Sequence, residues 1–368
     1  MRIKTAAMSW RAVSLLACAL GMAIASVAPA RAYLPPPLAS LNHDVRSLAR
    51  HARGAIALDV FDLNTGYYAG FNAGKSMPAA STIKVPVMVE VFAQLEAGRF
   101  DLQRRVRLEY FDKDYGSGDL CDEPVGTTYP VSELLEKMID ISDNTATNML
   151  IRLVGRRNIN RRMEELGLTR THLAGDVRTA GWSIRQTLRT SPADLVHLLA
   201  LMARGELVDE WSSNEMIAIL KADEYNTLLP EPLPPDVAIA HKTGSLNDTL
   251  NDAGIVFASE APYVIAVMTT ALPSKDLGRS FIHSVSRLAY ADELRFARWR
   301  EAMGIGGQRS TPSISPDATN WNAPGNVPDN SSPPSYAPAP SSTSVPSYAT
   351  DPSDAPAPTD APTAPPTR

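Results

Sequence analysis

The sequence predicts an α/β lobe joined to an all-α lobe, and two observations carry that prediction. Runs with strand character stand at both ends of the region 33–307, and the stretch between them, about 82–227, reads as mostly helical. Strands from the two ends must then share one sheet, with the helical middle packed beside it. Such a junction leaves a cleft, which is where sites usually form.

Residues 38–52 carry the apolar spacing of a helix, and residues 54–62 (GAIALDVFD) read as a strand. Asn64-Thr65-Gly66 turns the chain into a second strand over 67–72. In the helical middle, residues 132–141 put Leu134, Leu135 and Met138 on one face. Strands return over 237–242, 253–258 and 263–270, and a long helix over 277–303 closes the domain.

The flanks read differently. Arg2, Lys4 and Arg11 precede an uncharged apolar run, and Ala30-Arg31-Ala32 matches the cleavage pattern of an export signal. We expect residues 1–32 to be a signal peptide cleaved near Ala32, which makes the protein periplasmic, wall-associated or secreted. Leu15-Leu16-Ala17-Cys18 invites a lipoprotein reading, but the cysteine lies inside the apolar run instead of after it. Residues 308–368 hold 15 of the 30 prolines, mixed with Ser, Ala, Thr and Asp. That composition cannot bury enough apolar surface to offset the entropy of ordering, so a disordered tail is expected, either a cell-wall spacer or a solubilising segment.

The formal net charge of −5 divides as +4 over 1–32, −6 over 33–307 and −3 over 308–368. An acidic folded region argues against a nucleic-acid surface, which needs clustered Lys and Arg. Cysteine occurs only at Cys18 and Cys121, so loss of the leader leaves no intramolecular disulfide. The histidines form no HExxH and there is no CxxC, which argues against a zinc enzyme; no metal, no cofactor and a monomer are expected.

Three polar elements sit on the borders of apolar ones. Ser81-Thr82-Ile83-Lys84 opens an apolar helix, with the hydroxyl and the amine one turn apart. There a lysine amine can take the hydroxyl proton, while the helix N-terminus favours the negative charge developing on oxygen. Taken alone, Ser81 reads equally as an N-cap. Ser142-Asp143-Asn144 follows at the junction of two helical runs, where it also reads as a helix cap. Lys242-Thr243-Gly244-Ser245 comes at the end of an expected strand, where Thr243-Gly244 also reads as a turn.

In that order the three elements resemble the S-x-x-K, S-D-N and K-T-G signature of the class A β-lactamases and the related penicillin-binding D,D-peptidases. The likeness runs from about residue 40 to 303 and takes in Asn148-Met149-Leu150 and Gly254-Ile255-Val256. It implies a five-stranded antiparallel sheet flanked by helices, with a helical insertion. It also implies a serine hydrolase that opens a β-lactam, or a peptidoglycan-like peptide, through an acyl-enzyme. On this resemblance Ser81 is the nucleophile, Lys84 its proton-handling partner, and Ser142 a relay to the leaving nitrogen helped by Lys84 and Lys242. Asn144 would bind the substrate's side-chain amide and Thr243 its carboxylate. The backbone N–H groups of Ser81 and Ser245 would form the oxyanion hole. Asp143 would brace its loop, and Gly244 would let substrate backbone approach.

Two departures keep other readings open. The stretch 169–190, where class A enzymes carry the glutamate that activates the deacylating water, has no glutamate; Asp176 is its one carboxylate, either a base or a loop brace. No arginine lies between Arg204 and Arg279 to grip a substrate carboxylate, leaving Lys242 and Thr243 alone or Arg279 as help. His241 should point away from Lys242 by strand alternation and pack. A D,D-peptidase or esterase with the same serine chemistry, and a non-catalytic surface binding protein, are the alternatives.

Overall fold

The computed structural model describes residues 36–179 and 184–305. The expected signal peptide and the proline-rich tail lie outside them. Among the described residues no helix is long and apolar enough to cross a membrane.

Helix α1 (Pro36–His51) leads into strands β1 (Ala55–Asp62) and β2 (Tyr68–Phe71). Short β3 (Met77–Pro78) passes through a 3₁₀ turn (Ala80–Ile83) into α2 (Lys84–Glu96). A ribbon of β4 (Arg105–Arg107) and β5 (Thr128–Pro130) delivers the chain to α3 (Val131–Asp140), α4 (Asn144–Val154) and α5 (Arg156–Glu165). Next come β6 (His172–Leu173), α6 (Ile184–Thr187) and β7 (Leu188–Thr190), then α7 (Pro192–Ala203) and α8 (Glu210–Lys221). The last strands are β8 (Ile239–Leu246), β9 (Thr249–Val256) and β10 (Tyr263–Thr270), and α9 (Lys275–Ala302) closes the domain.

Strands from both ends of the chain form one antiparallel five-stranded sheet in the order β2-β1-β10-β9-β8. Alternation sorts its side chains into two cores. From β10, Ile265 and Val267 join Leu41 and Val45 of α1 and Ile282 and Val285 of α9 on one face. Val264, Ala266 and Met268 join α2, α7 and the helical lobe on the other. Helix α2 is buried on every side from Lys84 to Ala93, and its charged Glu90 is paired with Arg162. Its Pro86 sits in the first turn, where a missing N–H costs least.

The structure moves two expected strand boundaries by four residues each. Strand β8 does not stop at Lys242 but runs to Leu246, so Lys242-Thr243-Gly244-Ser245 lies inside the edge strand. Strand β9 begins at Thr249, four residues before the expected 253. The missed residues include Asn251 and Asp252, which disfavour strands on propensity. Both are fully buried here, and tertiary hydrogen bonds satisfy them: Asn251 with Pro78 and Ala79, Asp252 with His241 and Leu229.

Candidate active site

Ser81 stands in the 3₁₀ turn before α2 and is half-exposed. The residue before it, Ala80, takes a left-handed backbone (φ 48°), which costs a non-glycine residue about 1 kcal/mol. The turn is held from the sheet. Asn251 of β9 donates its amide to the Pro78 and Ala79 carbonyls at 2.9 and 3.1 Å and accepts the Thr269 N–H at 3.0 Å. Among the described residues Ser81 Oγ has no hydrogen-bond partner, so it does not cap the helix.

Lys84, one turn on, is fully buried. Its Nζ donates to the Ser142 carbonyl at 2.5 Å, to Ser142 Oγ at 2.9 Å and to Asn144 Oδ1 at 2.8 Å. Burial, and after it the positive charge of Lys242, hold the Lys84 amine well below the usual lysine range; Asp143, Asp223 and Asp114 pull the other way. The loop between α3 and α4 that meets Lys84 is also left-handed, at Ser142 (φ 56°). Asp143 fixes it by accepting the N–H groups of Ala146, Asp119 and Leu120, the first of these as the N-cap of α4. Gly118 makes room for that carboxylate: a Cβ there would stand 2.2 Å from it.

Asn144 spans two charges, accepting from Lys84 and donating Nδ2 to Asp114 Oδ1 at 2.8 Å. Asp114 also takes the Thr179 N–H and hydroxyl, each at 2.8 Å, and the Gly116 N–H at 3.0 Å. Burial works to raise the Asp114 carboxyl, but these donors outweigh it and hold the group below the usual carboxylate range. One Asn144 amide hydrogen is therefore committed to Asp114.

The edge strand β8 supplies the opposite wall. Lys242 and Gly244 share one face, and a Cβ on Gly244 would stand 3.0 Å from the Ala79 carbonyl and 3.1 Å from Ser81 N. The backbone that approaches Gly244 is thus the protein's own 3₁₀ turn. Lys242 is fully buried and paired with Asp223 at 2.8 Å, with the Tyr225 ring 5.7 Å from its ammonium. Asp223 also accepts the Thr243 N–H at 3.2 Å, so that N–H points off the free edge of the sheet. Two residues on, the Ser245 N–H points the same way.

His241 lies on the other face, between Asp252 Oδ1 (2.9 Å) and Asn226 Oδ1 (3.2 Å). Burial opposes its charge, but the Asp252 carboxylate outweighs burial and raises the imidazole above its ordinary value. Asp176 is about half-exposed and faces Arg178 at 3.5 Å; among the described residues it makes no hydrogen bond or ion pair with Ser81, Lys84 or Ser142. The loop is fastened one residue later, where Asn148 holds both the N–H and the carbonyl of Val177. Arg279 donates to the Thr227 carbonyl at 3.4 Å.

The structure therefore gathers Lys84, Ser142 and Asn144 directly, and sets Ser81 against Gly244 of the strand that carries Lys242, Thr243 and Ser245. Sequence reasoning missed Asp114, Asp223 and Asn251. Each belongs to no motif and becomes visible only through its partner in space.

A family model described as the beta-lactamase enzyme family matches residues 40–292. A beta-lactamase of Streptomyces fradiae is 28% identical over 289 residues, covering 75% of this chain and 94% of that protein. Among solved structures, PBP-A is 33% identical with a TM-score of 0.66, over 70% of this chain and 98% of that one. A PBP-A mutant solved as an acyl-enzyme complex with penicillin G is 32% identical, with a TM-score of 0.65 over the same shares.

Proposed function

The chain belongs to the beta-lactamase enzyme family, and from that premise we propose that it opens β-lactam amide bonds through an acyl-enzyme on Ser81. One observation supports this most: a fully buried Lys84, its amine held below the usual lysine range, meets Ser142 one turn from Ser81. The amine reaches the Ser142 carbonyl, Ser142 Oγ and Asn144 Oδ1, and once it has given up a proton its lone pair can take one from a hydroxyl. Ser81 Oγ attacks the lactam carbonyl carbon as its proton passes to Lys84. The C–N bond breaks as Ser142 gives its proton to the nitrogen and is reprotonated from Lys84. The Ser81 and Ser245 N–H groups face the oxygen on which charge builds, a pairing whose loss costs roughly a hundredfold or more in rate.

Deacylation is the slow half of this reading. Asp176 points to Arg178, and Asp114 is saturated with donors, so neither is poised to activate water. The likeness to PBP-A supports a second reading, a penicillin-binding peptidase acting on wall peptides with the same serine. The leader read from the sequence would bring the domain to the compartment where such substrates occur.

Intact mass after incubation with a penicillin tests both. A transient adduct with hydrolysed drug supports the lactamase, and a persistent adduct supports the peptidase. No adduct, or an adduct that survives Ser81→Ala, overturns the assignment of Ser81.

A further inference from the structure

Of the lysines around the site, two are already spent. Lys84 is fully buried with three acceptors, and Lys242 is fully buried against Asp223. The pairing with Asp223 matters for recognition, because it cancels the charge that Lys242 would offer to an anion. A cation that is neither buried nor neutralised comes from outside the three motifs. Lys275, the first residue of α9, is exposed and lays its Nζ 2.7 Å from Ser245 Oγ. Ser245 is the next residue after Gly244, whose backbone packs on Ser81 N, so this ammonium stands beside the strand that borders the nucleophile.

Its neighbours leave it free. Lys275, Arg279 and His283 recur at i, i+4 and i+8 and share one face of α9. Arg279 and His283 both point at the Thr227 carbonyl, on the loop that carries Asp223 and Asn226. The acid in the β8–β9 turn, Asp248, is held by Arg185 at 2.7 Å. Among the described residues no carboxylate lies within ion-pair distance of Lys275; its partner is a neutral hydroxyl. A carboxylate arriving at Ser245 would exchange that neutral acceptor for a charged one, a stronger hydrogen bond without an ion pair to break.

We infer that Lys275, with the Ser245 hydroxyl, receives the carboxylate of the substrate, a task for which no arginine lies between Arg204 and Arg279. The inference rests on acylation at Ser81. The test is the ratio of the second-order acylation rates for benzylpenicillin and for its methyl ester, measured by intact mass on the full chain. Lys275→Gln should lower the acid-to-ester ratio about tenfold, which is about 1.4 kcal/mol, and Lys275→Arg should keep it near the wild-type value. Raised salt should slow the acid more than the ester in the wild type and lose that preference in Lys275→Gln. On a Ser81→Ala background, titration should show Lys275→Gln weakening benzylpenicillin binding by a similar factor. If the wild type is acylated and the ratio is unchanged in Lys275→Gln, the role of Lys275 is overturned while Ser81 stands. If neither compound acylates the wild type, the Ser81 reading fails and takes this one with it.

Discussion

Asp223→Asn removes one charge from the buried pair behind the candidate site. Lys242 and Asp223 are both fully buried, 2.8 Å apart, and the same carboxylate oxygen accepts the Thr243 N–H. Removing one partner of such a pair strands the other charge, which costs about 3–5 kcal/mol. Asparagine keeps the shape and one acceptor oxygen, and the Tyr225 ring still faces the ammonium, so the low end of about 3 kcal/mol is expected. At this domain size each kcal/mol moves the melting temperature about 2–4 °C, giving a fall of about 6–12 °C. Urea unfolding at pH 7 measures the free energy directly. The companion is Asp223→Asn with Lys242→Met: taking out both charges should recover most of the loss, because an apolar replacement for a buried ion pair is near neutral. A single variant that loses under about 1 kcal/mol, or a double variant no better than the single, would refute the claim that the charges depend on each other.

Three further outcomes are expected. Gly118→Ala puts a Cβ 2.2 Å from the Asp143 carboxylate at a φ of 89°, so it should cost at least about 1 kcal/mol in urea unfolding and slow acylation by displacing the Ser142 loop. Burial, followed by the nearby charges of Glu136, Asp223 and Glu224, pushes Asp140 up to about 7. The folded state then holds a proton that the unfolded chain releases near its ordinary value, so this contribution to stability is complete below about pH 4 and is lost as pH rises to about 7. Stability curves of Asp140→Asn should lack that slope, and an identical slope in both proteins would exclude Asp140 as its source. Asp176→Asn should leave the lifetime of the acyl-enzyme unchanged in a mass time course, since the side chain faces Arg178; a longer lifetime would make Asp176 the base.

The sequence by itself determined what periodicity and local chemistry encode. Short apolar runs in residues 54–62 and 263–270 marked β1 and β10, and the apolar run after Lys84 marked a buried helix. The three motifs, in their order, were enough to name the candidate nucleophile and its lysine. Only the tertiary structure decided how those groups are charged and held. Asn251 and Asp252 look like strand breakers until Pro78, Ala79 and His241 are seen to satisfy them. Lys242 reads as a free cation until Asp223, 19 residues earlier, neutralises it, and Lys275 carries no signal in the sequence until its amine reaches Ser245, 30 residues away. The physical reason is the same in each case. A side chain's burial and partners are set by atoms distant in the chain, and burial and partners, more than residue type, fix what a charge can do.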